Sequence, residues 1–156
     1  IGSYRVRKNI MNRPVTNERF LEVFNWSKHF GIRIIANFML GVPGETKQDI
    51  DMTLGFIKEL EPDDFSYSVF YPFPGTALLR LCLDKGYLPK NYLDLPANHR
   101  QSILNLPDLT QEDIAEYYGR FTEAREKNYL RQYGNLLNYE TQKLAINSIK
   151  ECAALG

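Results

Sequence analysis

Two short turns hold the residue types best suited to gripping a ligand. Gly41-Val42-Pro43-Gly44-Glu45-Thr46 follows the apolar run Ile34 to Leu40. Tyr71-Pro72-Phe73-Pro74-Gly75-Thr76 follows Phe65 to Phe70. Glycine admits positive φ and close backbone approach, and proline fixes a turn while removing a donor. Each turn ends on a threonine that can cap a helix, and a helix N-terminus favours anionic or polar groups. One such turn would as readily be a plain connection. Two on successive strands are a stronger sign. Phe70, Tyr71 and Phe73 can stack on a planar base or simply cover the end of a core, and backbone groups at the strand end can read a base edge. Asn37 is the polar exception in its strand. A buried amide needs partners, here either a neighbouring strand or a ligand hydroxyl. Arg13, just before Pro14, is either a surface arginine or a clamp for a carboxylate, which guanidinium binds through two parallel bonds.

The other reactive types lead elsewhere. Cys82 and Cys152 are far apart and in no CxxC or CxxxC spacing. That favours a reduced, cytoplasmic chain over a disulfide framework. Cys82, within Leu78 to Leu83, reads as a packed helical residue. His29 and His99 have no second histidine or cysteine at metal-ligand spacing, so no metal ligand and no catalytic residue is assigned.

The elements that must position these residues alternate. Residues Tyr4 to Met11 suggest a short basic helix, broken at Asn12-Arg13-Pro14-Val15. Thr16 caps a helix to about Phe30, with Phe20, Val23, Phe24 and Ser27 inward and Gly31 as its stop. Ile32 to Leu40 is nearly all apolar, the pattern of a strand covered on both faces. Thr46 and Asp49 form a capping box for a helix to Leu60, with Ile50, Thr53, Leu54 and Ile57 inward. Phe65 to Phe70 is the second strand, and Ala77 to Lys85 the next helix, closed by Gly86. Strand–turn–helix units in succession imply neighbouring parallel strands with ligands at their C-terminal ends. Tyr87 to Leu109 is an irregular connection. Thr110 and Asp113 repeat the capping pattern before a helix to Tyr133, with Ile114, Tyr117, Tyr118 and Phe121 on one side. Gly134-Asn135 breaks it, and a last helix spans about Tyr139 to Ala154.

With 156 residues and 44% hydrophobic content, the chain suits one ordinary globular domain. Nineteen basic and nineteen acidic residues give zero net charge, which argues against nucleic-acid or membrane binding by bulk charge. No apolar run nears the roughly 20 residues of a membrane span. The start, Ile1-Gly2-Ser3-Tyr4, is no signal peptide and lacks an initiator methionine. Two strands make no stable sheet alone, so the chain is expected to be part of a longer barrel or sheet.

The run Gly2-Ser3, Val6-Arg7-Lys8-Asn9-Ile10-Met11-Asn12-Arg13, then Phe38-Met39-Leu40-Gly41-Val42-Pro43-Gly44-Glu45-Thr46-Lys47-Gln48-Asp49, then Tyr71 to Thr76 and Lys85-Gly86, resembles the second half of a radical S-adenosylmethionine core. The resemblance covers about residues 1 to 88. It is nearest to the branch with cobalamin-binding radical enzymes and anaerobic Mg-protoporphyrin monomethyl ester cyclase-like proteins. It implies an α/β fold, the last strands of a partial (β/α)6 barrel, with residues 89–109 as connection and 110–156 as a helical tail. In that family an arginine at the Arg13 position contacts the methionine carboxylate. A polar residue at the Asn37 position, often aspartate, contacts the ribose. Met39 would flank the adenine beside the turn Gly41, Pro43 and Gly44, and the backbone of Phe70 and Tyr71 would read its edge.

The family's Cys-x-x-x-Cys-x-x-Cys motif, its glycine-rich methionine loop and the acidic residue before Gly-Ser are absent from this chain. The resemblance therefore implies a catalytically inactive piece. Its parent would hold a 4Fe–4S iron-sulfur cluster, cleave S-adenosylmethionine reductively, and carry out methyl transfer or oxidative cyclisation, with cobalamin if such a domain precedes. The missing half of the barrel is the implied partner, and the parent's substrate would be a small molecule. A methylthiotransferase-type radical enzyme is the first rival, although those end in a small β-barrel where this tail reads helical. A noncatalytic ligand-binding or assembly module is the second. An exposed half-barrel edge also predicts dimerisation.

Overall fold

A computed structural model describes residues 1–134 and 139–154. It is mixed α/β. The elements are α1 (Tyr4–Asn9), α2 (Asn17–His29), β1 (Ile35–Leu40), α3 (Lys47–Leu60), β2 (Asp64–Val69), α4 (Ala77–Asp84), α5 (Gln111–Tyr133) and α6 (Tyr139–Ala154), with a 3-10 turn at Tyr92–Asp94. The break at Asn135 lies outside the described residues. The two strands pair in parallel, from Ile35 opposite Asp64 to Leu40 opposite Val69.

Local chemistry sets most boundaries. Thr16, Thr46, Thr76 and Thr110 each accept a backbone N–H three residues on, so all four cap the helices that follow them. The boxes at Thr46–Asp49 and Thr110–Asp113 are reciprocal, with each aspartate accepting the threonine amide in return. Glu61 ends α3 in the left-handed region at φ 47°.

One face of the sheet carries the core. Phe38, Leu40, Phe65 and Val69 pack against Ile50, Leu54 and Ile57 of α3 and Ile114, Tyr117 and Phe121 of α5. A second cluster of Val42, Phe70, Cys82 and Leu104 lies beneath the turns at the strand ends. The connection 89–109 is thus anchored by Leu104 and Leu109, both essentially fully buried.

Two expectations are corrected. The run from Ile32 does not make a strand covered on both faces. Gly31 turns the chain at φ 66°, the Ile32 amide donates to Ser27 at 2.8 Å, and pairing starts at Ile35. Alternation then puts Ile35, Asn37 and Met39 on the face away from the core, where Ile35 is 61% exposed. Val23 likewise is exposed, and α2 turns Phe20, Leu21 and Phe24 inward instead.

Candidate functional site

The open face of β1 forms one wall of a cavity of about 620 Å³. Arg7, Met11 and Arg13 from the N-terminal segment, Asn37 and Met39 from β1, and Ser68 from β2 all line it. Three residues named from sequence, Arg13, Asn37 and Met39, therefore meet in one cleft although up to 26 positions separate them.

Arg13 is held by its backbone. Its amide donates to the Arg7 carbonyl at 2.8 Å, which leaves its exposed guanidinium toward the cleft. Arg7 is the anchor of that turn. It is 4% exposed, donates to the carbonyls of Val15 at 3.0 Å and Ile1 at 2.7 Å, and bonds the Asn17 side chain. Its guanidinium also lies 5.3 Å from the Phe20 ring centroid, a cation–π arrangement. Burial lowers its pKa while the nearby Tyr4 and Glu18 oppose the shift. Asn37 is exposed and accepts the Ser66 hydroxyl of the neighbouring strand. It is not the buried amide that its strand context suggests, because the face it stands on is open.

The first turn is fixed from within. Gly41 and Gly44 adopt φ of 77° and 80°, and Pro43 between them is buried. Glu45 is 1% exposed, and its Oε2 accepts the amides of Gly41 at 2.6 Å and Val42 at 3.2 Å. Its Oε1 is buried without a hydrogen-bond partner. Burial is the largest influence on this carboxyl and pushes it up to about 7, against the pull of the two amides. The Gly44 carbonyl accepts Arg5 Nη2 at 2.8 Å. Arg5 in turn pairs with Asp49, which also accepts the Ser3 hydroxyl at 2.6 Å and the Thr46 amide at 2.9 Å. Burial opposes ionisation of Asp49, but the bonds from Arg5, Ser3 and Thr46 prevail and hold it at about 2. The N-terminal segment and the turn are thus one hydrogen-bonded unit.

The second turn has a divided role. Phe70 is 6% exposed, and its amide donates to Leu40 at 2.8 Å. Its ring covers the core end, and its N–H is committed to the sheet. Tyr71 is half-buried, with its hydroxyl on the Leu95 carbonyl at 3.4 Å. Phe73 is 48% exposed, with its centroid 5.2 Å from Tyr71 and 6.0 Å from His99. Gly41, Pro43, Gly44, Phe70 and Tyr71 sit at the strand ends and do not line the cleft. Cys82 is fully buried, and burial pushes its thiol up to about 11.

Glu45, Arg5, Arg7 and Ser68 were not singled out from sequence. Glu45 had a signal, a carboxylate directly after Pro-Gly that can reach back to the turn's amides. Arg5 acts across 39 positions to Gly44, and no spacing rule reports that.

No protein-family model matches the chain. Among curated proteins it is 25% identical over 142 residues to cytidylyl-2-hydroxyethylphosphonate methyltransferase of Streptomyces wedmorensis, covering 84% of this chain and 27% of that protein. It is 26% identical over 111 residues to an uncharacterized methyltransferase of Pyrococcus horikoshii, covering 68% and 23%. It is 37% identical over 82 residues to tRNA-2-methylthio-N(6)-dimethylallyladenosine synthase of Desulforamulus reducens, covering 51% and 18%. Two of these relatives are named as methyltransferases and the third as a synthase of a methylthio nucleoside. The chain spans about a third or less of the length of the relatives it matches. No described helix is long and apolar enough to cross a membrane.

Proposed function

We propose that this chain is the C-terminal part of a radical S-adenosylmethionine enzyme whose parent transfers a one-carbon group. The observation that carries the reading is the meeting of Arg13, Asn37 and Met39 on the open face of a parallel strand pair. In a partial (β/α)6 barrel that face would look into the lumen. The alignments with methyltransferases over most of the chain support the same reading.

Fit to S-adenosylmethionine rests on the donors present. The Arg13 guanidinium suits its carboxylate, and the Asn37 amide and Ser68 hydroxyl suit its ribose. Met39 offers an apolar, polarisable flank for adenine. With Phe70 N–H bonded to Leu40, backbone reading of the adenine edge is left to the Phe70 carbonyl and to Tyr71. When bound to a reduced cluster, this cofactor supplies a 5′-deoxyadenosyl radical for hydrogen abstraction. The cluster itself does not fit this chain. Three thiolates are needed, and the sequence has two cysteines. Among the described residues no three carboxylate, histidine or cysteine side chains gather to hold a metal. No step through the cluster is derived from these residues, and the isolated chain is proposed to be inactive.

Among subtypes, methyl transfer is favoured over ring closure because two relatives that align over 84% and 68% of the chain are named as methyltransferases, while a third that aligns over 95% is a tRNA-2-methylthio-N(6)-dimethylallyladenosine synthase. Cobalamin would belong to a preceding domain. A methylthiotransferase is the second reading, and specific observations favour it: matches of 32 to 38% identity over about half the chain.

The test is the iron and sulfide content of the parent protein, prepared without oxygen, beside this chain. About four irons in the parent and none here, with 5′-deoxyadenosine formed on reduction, is the expected result. No cluster in the parent would overturn the radical reading and leave a binding module.

A further inference from the structure

We propose that Ser66 is a positioning residue for the cleft: its hydroxyl fixes the Asn37 amide with Nδ2 toward the ligand, so that the cleft reads acceptor atoms. Asn37 and Ser66 stand opposite each other in the parallel pair, as Met39 and Ser68 do two places on. Neighbouring strands lie about 4.8 Å apart, and residues two apart share a face. The Ser66 hydroxyl donates to Asn37 Oδ1 across that gap. An amide carries its oxygen and its nitrogen on opposite sides of Cγ, so an oxygen turned toward β2 turns Nδ2 away from β2. Among the described residues the cleft is lined by every position from Ile35 to Met39 and by one residue of β2, Ser68. It therefore lies on the side of β1 to which Nδ2 is turned. Nδ2 has no partner there among the described residues.

The other polar side chains at the cleft have the same sense. Arg7 and Arg13 carry donors and no acceptor, and among the described residues no aspartate or glutamate lines the cleft. Arg7 is spent on Val15, Ile1 and Asn17. That leaves Arg13, Asn37 Nδ2 and the Ser68 hydroxyl to the ligand. Asn37 owns the one amide oxygen at the cleft, and Ser66 takes it out of use. The ligand class that fits brings a carboxylate for Arg13 and a neutral acceptor oxygen for Asn37. That this oxygen belongs to a ribose hydroxyl rests on the S-adenosylmethionine reading. An aspartate at the same place would offer acceptors only, and the hydroxyl would then have to donate. The competing arrangement is the flipped amide, with Nδ2 on Ser66 Oγ and Oδ1 toward the ligand.

Ser66→Thr and Ser66→Val have nearly one shape and differ in the hydroxyl. Both suit a strand, and Ser66 borders a cavity of about 200 Å³ with room for the added methyl. The first measurement needs no ligand. In NMR of the whole chain, the Asn37 Nδ2 protons are expected to exchange freely with water and to show no nuclear Overhauser contact with Ser66. The Asn37 Cγ resonance is expected to move in Ser66→Val and to stay in Ser66→Thr. The second titrates S-adenosylhomocysteine into the longer parent protein. Ser66→Val is expected to weaken binding about five- to tenfold, the worth of one oriented hydrogen bond, and Ser66→Thr to bind as the wild type does. With the 2′- or the 3′-deoxy analogue, whichever lacks the contacted oxygen, the loss in Ser66→Val is expected to vanish. A contact between Nδ2 and Ser66 overturns the proposal, as does wild-type affinity in Ser66→Val or an undiminished loss with both deoxy analogues. No binding to the wild-type parent would instead sink the S-adenosylmethionine reading and the ribose with it, while the resonances alone still decide the orientation of Asn37.

Discussion

Two carboxyls of the first turn, Glu45 and Asp49, respond to pH in opposite senses. Glu45 holds its proton to about 7 in the fold against an ordinary 4.5. The folded state therefore binds more protons than the unfolded state between these values, and stability falls as pH rises from about 4.5 to 7. The shift corresponds to about 3 kcal/mol. Glu45→Gln keeps an acceptor for the Gly41 and Val42 amides and removes the charge. Urea unfolding is expected to lose its decline between pH 5 and 8 in this variant. An unchanged slope would show that burial does not hold the proton. Asp49 works the other way. Its folded value of about 2 lies below its ordinary 3.8, so its contribution is present above about 4 and is lost as pH falls toward 2. That amounts to about 2 kcal/mol. Asp49→Asn is expected to remove this acid-side loss and to lower stability at neutral pH by a similar amount. None of this was legible in the sequence. The Thr46–Asp49 box was, since its partners are three residues apart. The bonds from Ser3 and Arg5 to the same carboxylate span 46 and 44 positions.

At the scale of elements, close approach sets the requirement. Gly2 donates its amide to Thr53 Oγ1 at 2.8 Å, and a Cβ there would lie 2.6 Å from Thr53 Cα and 2.8 Å from the Met52 carbonyl oxygen. Both are backbone atoms of α3 and cannot swing away. Gly2→Ala is expected to lift the N-terminal segment off α3, with a loss of about 2 kcal/mol or more in chemical denaturation. Arg5 and Ser3 would leave Asp49 with it. Normal stability, with Ser3 still protected from exchange, would show that the segment docks independently. Thr46→Ala removes only a cap and should cost about 1 kcal/mol. Caps, breaks and the order of elements were readable because each depends on a few adjacent residues. The faces were not. Val23 and Ile35 are apolar and periodic, yet exposed, because a pattern shows that a face is apolar without showing that anything covers it.

For the whole molecule, the question is what lies beyond β1. Its one strand partner among the described residues is β2, so its other edge presents unpaired amides and carbonyls. Around its start, Phe30 is 72% exposed, Ile32 59% and Ile35 61%, with Trp26 at 53% on α2. Apolar surface beside an open strand edge invites pairing with another chain. In the proposed parent that place belongs to the preceding barrel strand. For the chain alone, we expect concentration-dependent self-association in sedimentation velocity. Ile35→Lys, a charge on an already exposed position, is expected to shift the equilibrium to monomer with Tm changed by no more than a degree or two, as surface substitutions behave. Amide exchange then separates the two causes. In the longer protein the outward amides of β1 should exchange slowly at any concentration, whereas in the Ile35→Lys monomer they should exchange freely. Fast exchange of those amides in both would mean that no strand completes the sheet, and that the cleft of Arg13 and Asn37 is an open groove, not the lumen of a barrel.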